Sequence, residues 1–251
     1  KMEVIATLAA FEIQRGADTF LLRKYFVVLL QYDGDDQLPT YERVNYNEFV
    51  SSTLTNYING TLTMNALAGA NHFAIDDNSA VTVINGGDDA DTFQIGQVFG
   101  NSYTGESFES GDLLATTRGL LSHGVSKKLT IEANDGDDIF IIFHNRAVLD
   151  LDGGEGDDAF TIRAFALAGS SEGPEEYDPE RGSTNVATGG GTNHVSYAIN
   201  APVKIDGGAG TDTIIAIATE FSDTIVLTSD GIYGMGLNVT FTNIERLAIY
   251  A

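Results

Sequence analysis

The stretch that decides the fold is Asp152-Gly-Gly-Glu-Gly-Asp-Asp-Ala-Phe-Thr-Ile162, in which a glycine-rich acidic turn passes directly into an alternating apolar segment. Two further stretches align with it, Asn85-Gly-Gly-Asp-Asp-Ala-Asp-Thr-Phe-Gln-Ile95 and Asp206-Gly-Gly-Ala-Gly-Thr-Asp-Thr-Ile-Ile-Ala216. A looser copy is Glu132-Ala-Asn-Asp-Gly-Asp-Asp-Ile-Phe-Ile-Ile142. Because self-similarity at a regular spacing is the signature of a repeat architecture, the repeat governs the organisation of this chain.

The spacing of the copies gives the size of the repeating unit. Weaker copies begin at Asn65, Thr188 and Gly16. Marked by their last acidic or amide residue, the copies fall at these positions: Asp18, Asp36, Asn71, Asp91, Asp138, Asp158, Asn193 and Asp212. Four of the seven intervals are 18 to 20 residues, so the longer ones are expected to hold insertions or degenerate copies.

Short segments of alternating apolar residues flank the turns, as in Val81–Ile84 before one turn and Phe93–Ile95 after it. Such alternation indicates half-buried strands. One strand–turn–strand unit cannot bury its apolar face alone, but units stacked about 4.8 Å apart form a continuous core. The sequence therefore predicts an all-β fold, a parallel β-helix or β-solenoid (β-roll-like), as a single segment over residues 1–251.

Two insertions, residues 96–128 and 168–187, interrupt the repeat. In the first, Asp112–Leu121 is predicted to form a short helix with Asp112 as its N-cap. The second contains a run rich in Ser, Gly, Pro and Glu and is expected to be an exposed acidic loop. The chain opens at Lys1 without a signal pattern and stops inside a strand-like run, so we interpret it as a piece of a longer polypeptide.

Composition limits the partners. The 36 acidic residues against 13 basic ones give a net charge of −23, which repels nucleic acid and anionic membranes and favours cations. No apolar run approaches the roughly 18–20 residues of a membrane span. The absence of cysteine excludes disulfides and thiolate chemistry. No sequence motif of a serine hydrolase, a zinc protease or a phosphate-binding loop is present.

The turns resemble the haemolysin-type (RTX) calcium-binding repeat, Gly-Gly-x-Gly-x-Asp-x-U-x, in which U is a large apolar residue. Gly153–Thr161 and Gly207–Ile215 match every fixed position, Gly86–Gln94 has Asp89 in place of the third glycine, and Ala133–Ile141 lacks the first two glycines. The resemblance implies Ca²⁺ as the bound ion. Its motif gives these candidate metal-site residues: Gly86, Asp89, Asp91, Asn134, Gly136, Asp138, Gly154, Gly156, Asp158, Gly190, Asn193, Gly208, Gly210 and Asp212.

Two stacked turns are needed for one ion, because Ca²⁺ takes six to eight oxygen ligands at about 2.3–2.6 Å. We expect the best site between the turns at 134–138 and 153–158. The next candidates pair 188–193 with 207–212, and 66–71 with 86–91. RTX repeats usually run in tandem, whereas single copies here predict one column of turns. The polar residue before each glycine pair either caps the turn or binds the ion, and both roles stay open.

The leading hypothesis is a non-catalytic, calcium-binding structural module of an extracellular or cell-surface protein, such as an adhesin, a surface-layer protein or a filament subunit. Its open ends favour attachment within a longer surface protein or end-to-end self-assembly. The alternative is a β-helical module of a secreted carbohydrate-active enzyme, of the polysaccharide lyase, hydrolase or epimerase type. Arg146 and Arg163 beside His144 are the basic candidates for such a site, and Tyr103, Phe108 and Tyr177 are the aromatic ones. A weaker possibility is a sugar- or protein-binding adhesin tip formed by the two insertions.

Overall fold

The computed structural model describes residues 17–31, 40–46, 48–50, 53–55, 60–66, 68–98, 111–171 and 195–251. Within these ranges the chain forms β-strands and no helix. The strands are β1 (Thr19–Leu22), β2 (Phe26–Gln31), β3 (Thr40–Asn45), β4 (Glu48–Val50), β5 (Thr53–Thr55), β6 (Thr61–Asn65), β7 (His72–Ile75), β8 (Val81–Gly87), β9 (Thr92–Ile95), β10 (Leu113–Thr116), β11 (Gly119–Ser122), β12 (Leu129–Asn134), β13 (Ile139–Ile142), β14 (Leu149–Asp152), β15 (Ala159–Arg163), β16 (Val203–Asp206), β17 (Thr213–Ile217), β18 (Ile225–Leu227), β19 (Gly231–Gly234), β20 (Leu237–Thr242) and β21 (Arg246–Tyr250).

Most of these strands belong to two large sheets whose central neighbours are parallel. Sheet A has the order β18-β19-β20-β16-β14-β12-β8-β6, and sheet B has the order β21-β17-β15-β13-β9-β7-β1-β2-β3. The chain alternates between them in six strand pairs: β6–β7, β8–β9, β12–β13, β14–β15, β16–β17 and β20–β21. Each pair is joined by a short turn, so these turns come together along one edge of the molecule.

Antiparallel strands extend one end of each sheet. In sheet B, β2 and β3 continue beyond β1, which pairs on its other side with β7. In sheet A, β19 and β18 continue beyond β20. These antiparallel strands pair with the outer edges of β1 and β20. A further copy of the repeat would otherwise pair with the same edges.

The apolar core lies between the sheets and follows the repeat. On sheet B, the side chains of Phe20, Phe73, Phe93, Phe140 and Phe160 stack in one column, with ring centroids 4.5–4.9 Å apart. All five are buried, and β17 and β21 continue the column with Ile214 and Leu247. On sheet A, Ile84, Ile131, Leu151 and Ile205 lie in register opposite them. Because side chains alternate between the two faces of a strand, the predicted alternation fixes this register.

The predicted helix at Asp112–Leu121 is wrong: the segment forms the antiparallel hairpin β10–β11. Gly119, at φ +126°, makes the turn, and neither Thr116 nor Thr117 before it is a strong helix former. Leu121 packs against Phe165 and Ala198 in a small separate cluster. Tertiary packing on a neighbouring apolar surface therefore decides the conformation of this segment.

Two of the copies expected from the sequence, at Asp36 and Asn193, do not form units of the stack between the copies that flank them in sequence. β1 pairs directly with β7, so no unit at Asp36 stands between the turns of Asp18 and Asn71. β15 pairs directly with β17, and β14 with β16, so no unit at Asn193 stands between Asp158 and Asp212. Asp36 and Asn193 themselves lie outside the described residues.

Candidate metal centre

The acidic turns that join the strand pairs stack through their own backbones. In the turns at 132–138, 152–158 and 206–212, Glu155 N–H donates to Asn134 O at 2.7 Å, and Ala209 N–H donates to Gly154 O at 2.7 Å. Gly136 N–H donates to Glu155 O at 2.9 Å, and Gly156 N–H donates to Ala209 O at 2.9 Å. The backbone bonds therefore hold these turns in one column, as the spacing of the repeats predicts.

The last residue of each turn forms a continuous hydrogen-bonded ladder along this column. In each step a backbone N–H donates to a side-chain oxygen of the next turn. The steps are Asp18 to Asn71 at 3.3 Å, Asn71 to Asp91 at 2.7 Å, Asp91 to Asp138 at 2.6 Å, Asp138 to Asp158 at 2.8 Å, Asp158 to Asp212 at 2.8 Å, and Asp212 to Glu245 at 2.8 Å. Except for Glu245, these side chains are buried. We call this set of seven residues the aspartate ladder.

One oxygen of each buried ladder carboxylate has no hydrogen-bond donor. The Oδ2 atoms of Asp18, Asp91, Asp138, Asp158 and Asp212 are buried and unpaired. An unpaired buried carboxylate oxygen is costly unless it is protonated or meets a cation. Successive turns are separated by about 4.8 Å, the spacing of neighbouring strands, so an ion midway between equivalent oxygens would lie about 2.4 Å from each. That distance lies within the calcium–oxygen range.

A second set of carboxylates points along the column in the opposite direction. Asp137 Oδ1 accepts from Asp157 N–H at 2.8 Å, and Asp157 Oδ1 accepts from Thr211 N–H at 2.8 Å. Each of these carboxylates therefore contacts the following turn, whereas Asp138 and Asp158 contact the preceding one. Neither Asp137 nor Asp157 is among the metal-site residues predicted from the sequence. The doubled aspartates at 137–138 and 157–158 are the pattern that marks them.

The glycines of the turns have two different roles. Gly154 and Gly208 adopt φ of +97° and +91°, and Gly136, Gly156 and Gly210 also have positive φ, where glycine is favoured. Gly86, Gly153 and Gly207 have no such backbone. They are required because a Cβ there would approach Oδ2 of the aspartate in the same turn, at 2.6, 2.1 and 2.7 Å respectively.

We expect Gly153→Ala to destabilise the fold by about 1–3 kcal/mol, the range for overpacking a close-packed site. The added Cβ would lie 2.1 Å from Asp158 Oδ2 and 2.6 Å from Gly207 O. Gly111→Ala is the matched control, because nothing lies within 4 Å of its Cβ position. Urea unfolding of both variants measures the difference, and equal stability would contradict the assigned role of Gly153.

Burial raises the pKa values of the ladder carboxyls. The pKa of Asp138 rises to about 7, first through burial and then through the nearby charges of Asp158, Asp91 and Asp137. Burial likewise raises the pKa of Asp91 and of Asp158 to about 6, and it raises the pKa of Asp212 and Asp18. The ladder therefore holds its negative charge at a free-energy cost near neutral pH.

We expect the metal-free protein to become more stable on acidification. Ladder carboxyls whose folded pKa exceeds the ordinary value of 3.8 bind protons in the folded state that the unfolded chain releases. Their contribution is therefore fully present below about pH 4 and is lost as the pH rises through about 6–7. Thermal unfolding in a chelator should show a higher midpoint at about pH 5 than at about pH 8. An unchanged or lower midpoint at pH 5 would contradict the buried, charged ladder.

The polar residues before the glycine pairs form a row on sheet A, in which Glu132, Asp152 and Asp206 are in register. Glu132 and Asp152 are exposed, and Asp206 is half-buried. Asp206 Oδ1 accepts from Gly208 N–H at 3.3 Å and from Asn243 Nδ2 at 2.7 Å. For Asp206 these contacts favour the capping role over metal binding. Burial is the largest cause of the raised pKa of Asp152, and the neighbouring charges of Asp206 and Glu132 raise this pKa further.

The structure brings together most of the predicted metal-site residues and gives the alternative basic residues partners outside any common site. Asp91, Asp138, Asp158 and Asp212 all lie in the ladder, whereas Asp89 accepts from Gly69 N–H at 2.7 Å beside it. Gly190 and Asn193 lie outside the described residues, as do Tyr103, Phe108 and Tyr177. The basic candidates have different partners: His144 Nδ1 bonds Asn200 Oδ1 at 2.7 Å, Arg146 approaches His123, and Arg163 lies over the Phe143 ring.

Two kinds of feature are absent from the part of the chain that the structure describes. No group of three or more His, Cys, Asp or Glu side chains there has the arrangement of a metal site. No helix there has the length and apolar character for crossing a membrane. In comparisons with known proteins, no family model, curated protein or solved structure matches the chain.

Proposed function

We propose that this chain is a non-catalytic, calcium-stabilised β-solenoid module of an extracellular or cell-surface protein. The observation that carries the proposal is the aspartate ladder, whose buried Oδ2 atoms are unpaired at the one edge where the turns stack. The solenoid rests on the six strand pairs, which alternate between two sheets of parallel, in-register strands around one core.

Calcium would serve as the counter-charge of the ladder. Asp138 and Asp158 would each supply an Oδ2 atom to an ion between them, and Asp158 and Asp212 would hold the next one. Backbone carbonyls of the turns and water would complete the six to eight ligands. Without a cation, neighbouring carboxylates about 4.8 Å apart repel each other in a buried setting. Ion binding would therefore favour the folded state, since the unfolded chain has no such column.

The extracellular location and the structural role rest on the same ladder. Binding sites with two carboxylates and few further charges are expected to be weak, like the extracellular calcium modules with dissociation constants of about 10⁻⁴–10⁻³ M. Only an extracellular medium with millimolar calcium would fill them. A filled solenoid would be a stiff, acidic spacer suited to an adhesin, a surface-layer protein or a filament subunit, either attached within a longer chain or joined end to end.

Thermal unfolding with and without calcium tests the proposal. Calcium at about ten times its dissociation constant should stabilise the fold by about 1.4 kcal/mol. That corresponds to a midpoint about 3–6 °C higher for a protein of this size. Asp138→Asn should lose much of this shift, because it keeps the hydrogen-bond acceptor and removes the charge. Glu155→Gln, which removes an exposed charge from the neighbouring turn, should retain it.

Three outcomes decide the matter. A midpoint that rises with Ca²⁺ but hardly with Mg²⁺ supports a calcium site, because Mg²⁺ demands a tighter octahedral shell. The midpoint could instead rise equally with Ca²⁺ and Mg²⁺, or equally in Asp138→Asn and Glu155→Gln. Either result indicates charge screening by any cation and contradicts a specific site. A midpoint that is indifferent to calcium in the wild type overturns the metal part of the proposal.

A module of a carbohydrate-active enzyme is the second candidate. A groove of about 540 Å³ runs over the outer face of sheet A, lined by Glu132, Asp150, Asp152, Lys204 and Asp206 among others. Lys204 Nζ lies 3.6 Å from Asp150 Oδ1, so the groove contains both signs of charge. Turnover of acidic or neutral polysaccharides, abolished by Asp150→Asn, would favour this function over the structural one.

A further inference from the structure

The outer face of sheet B differs in charge from the outer face of sheet A. Its outward positions on β9, β13, β15, β17 and β21 alternate with the buried core residues. Ile139, Ile141, Ile215 and Ile217 are among them, and Ile139 is 44% exposed. We call these outward positions the isoleucine face. It contains no acidic residue, and its only charged residues are Arg163 and Arg246.

The opposite side of the molecule shows the contrast. The outward positions of β12, β14 and β16 on sheet A include Glu132, Asp150, Asp152 and Asp206, with Lys204 as the cation. A chain with a net charge of −23 repels its own copies over most of its surface. Five neighbouring strands without one outward acid therefore form a face on which a second copy meets less repulsion than on the outer face of sheet A.

We propose that two copies of this chain associate face to face through the isoleucine face. A two-fold axis parallel to the direction of strand stacking reverses the strand direction between the copies. The start of β15, which follows the exposed Asp157, then lies opposite the end of β15 in the other copy, where Arg163 stands. The pairing of acidic turn with arginine occurs twice by symmetry, as an isologous interface requires. The two sheets pack about 10 Å apart, with interdigitating isoleucines.

The size of the face sets the strength of the association. Five strands about 4.8 Å apart, with about five residues each at about 3.3 Å, cover roughly 400 Å² on each copy. The pair then buries about 800 Å² in projection, and more once side-chain relief is included, which lies below the range of stable specific interfaces and within that of weak, transient ones. We therefore expect a reversible dimer that forms with increasing protein concentration, not an obligate one.

Sedimentation equilibrium of the whole chain across a wide concentration range tests this dimer. The average mass should rise from 26.8 kDa toward twice that value as concentration increases. Ile139→Glu should keep the protein monomeric, because it places a buried like charge in both copies. Thr130→Glu is the matched control on the outer face of sheet A and should dimerise like the wild type. Both positions face outward, and circular dichroism confirms that each variant stays folded.

Each remaining outcome overturns the proposal. A wild type that stays monomeric at every concentration excludes the interface. Equal dimerisation of Ile139→Glu and the wild type places the contact elsewhere. X-ray scattering of the dimer separates the geometries, because face-to-face pairing thickens the particle, whereas end-to-end joining doubles its length. Repeating the experiment in a chelator tests dimerisation independently of the calcium proposal. The isoleucine face contains no ladder residue, so we expect the dimer to form without calcium.

Discussion

Phe140→Ala is expected to lower the free energy of unfolding by about 3–5 kcal/mol. The Phe140 ring is fully buried in the middle of the phenylalanine column, between Phe93 at 4.9 Å and Phe160 at 4.5 Å. Removing it opens a cavity and breaks two stacking contacts at once. Since backbone hydrogen bonds fix the strands above and below at their spacing, the site cannot collapse to fill the space.

Chemical denaturation at fixed calcium concentration measures this loss, and Ile139→Ala is the control on the same strand. Ile139 points outward and is 44% exposed, so its truncation should cost less than about 1 kcal/mol. Similar losses for the two variants would contradict the assignment of Phe140 to the inner face and Ile139 to the outer face.

The second large effect is expected at Asp138, where two substitutions should act in opposite directions. Asp138→Ala removes the acceptor of the buried Asp91 N–H, which lies 2.6 Å from Oδ1, and should cost about 1–3 kcal/mol. Asp138→Asn keeps that acceptor and removes a charge that burial disfavours. In a chelator near pH 8 it should therefore be neutral or stabilising by up to about 1 kcal/mol. An asparagine already occupies an equivalent position of the ladder, because Asn71 Oδ1 accepts from Asp18 N–H.

Urea unfolding in a chelator measures both variants of Asp138, with the wild type as the reference. Losses of similar size in the alanine and asparagine variants would mean that the carboxylate charge, and not the hydrogen bond, stabilises the metal-free fold. Such a result would contradict the cost assigned to the charged ladder.

The strands around the acidic turns could be predicted because the same alternation recurs in every copy. Segments such as Val81–Ile84 and Phe160–Ile162 form strands as expected, and their apolar residues enter one core. The stacking of the turns was also predictable, since equal spacing brings equivalent residues into register. The aspartates marked by the repeat, Asp91, Asp138, Asp158 and Asp212, accordingly lie in one ladder.

The errors fall where local sequence competes with long-range pairing. Asp112–Leu121 contains a helix-like run of leucines, but it forms a hairpin that packs against Phe165 and Ala198. Asp36 resembles a turn residue, yet β1 pairs directly with β7. Local sequence alone decides neither outcome. Both depend on which strand edges are free when the sheets assemble.

The fine structure of the site depends on tertiary contacts that the sequence does not show. The Asp157 carboxylate contacts the following turn and the Asp158 carboxylate the preceding one. This difference depends on side-chain direction, which an adjacent pair of aspartates in the sequence does not reveal. Glu245 ends the ladder although it belongs to no recognisable copy of the turn. The collision of a Cβ at Gly153 with Asp158 Oδ2 gives a glycine a role unrelated to its φ angle.

The amino-acid sequence by itself determined the strands that flank the acidic turns, the inner faces of those strands and the column of turns. These properties follow from the period of side-chain alternation and from glycine-rich turn chemistry, both of which act over a few residues. Tertiary structure alone decided which copies are neighbours, how the insertions fold and which carboxylate oxygens remain unpaired. Those features depend on hydrogen bonds between residues 20 to 54 positions apart, such as Asp158 and Asp212, whose partners only the assembled sheets select.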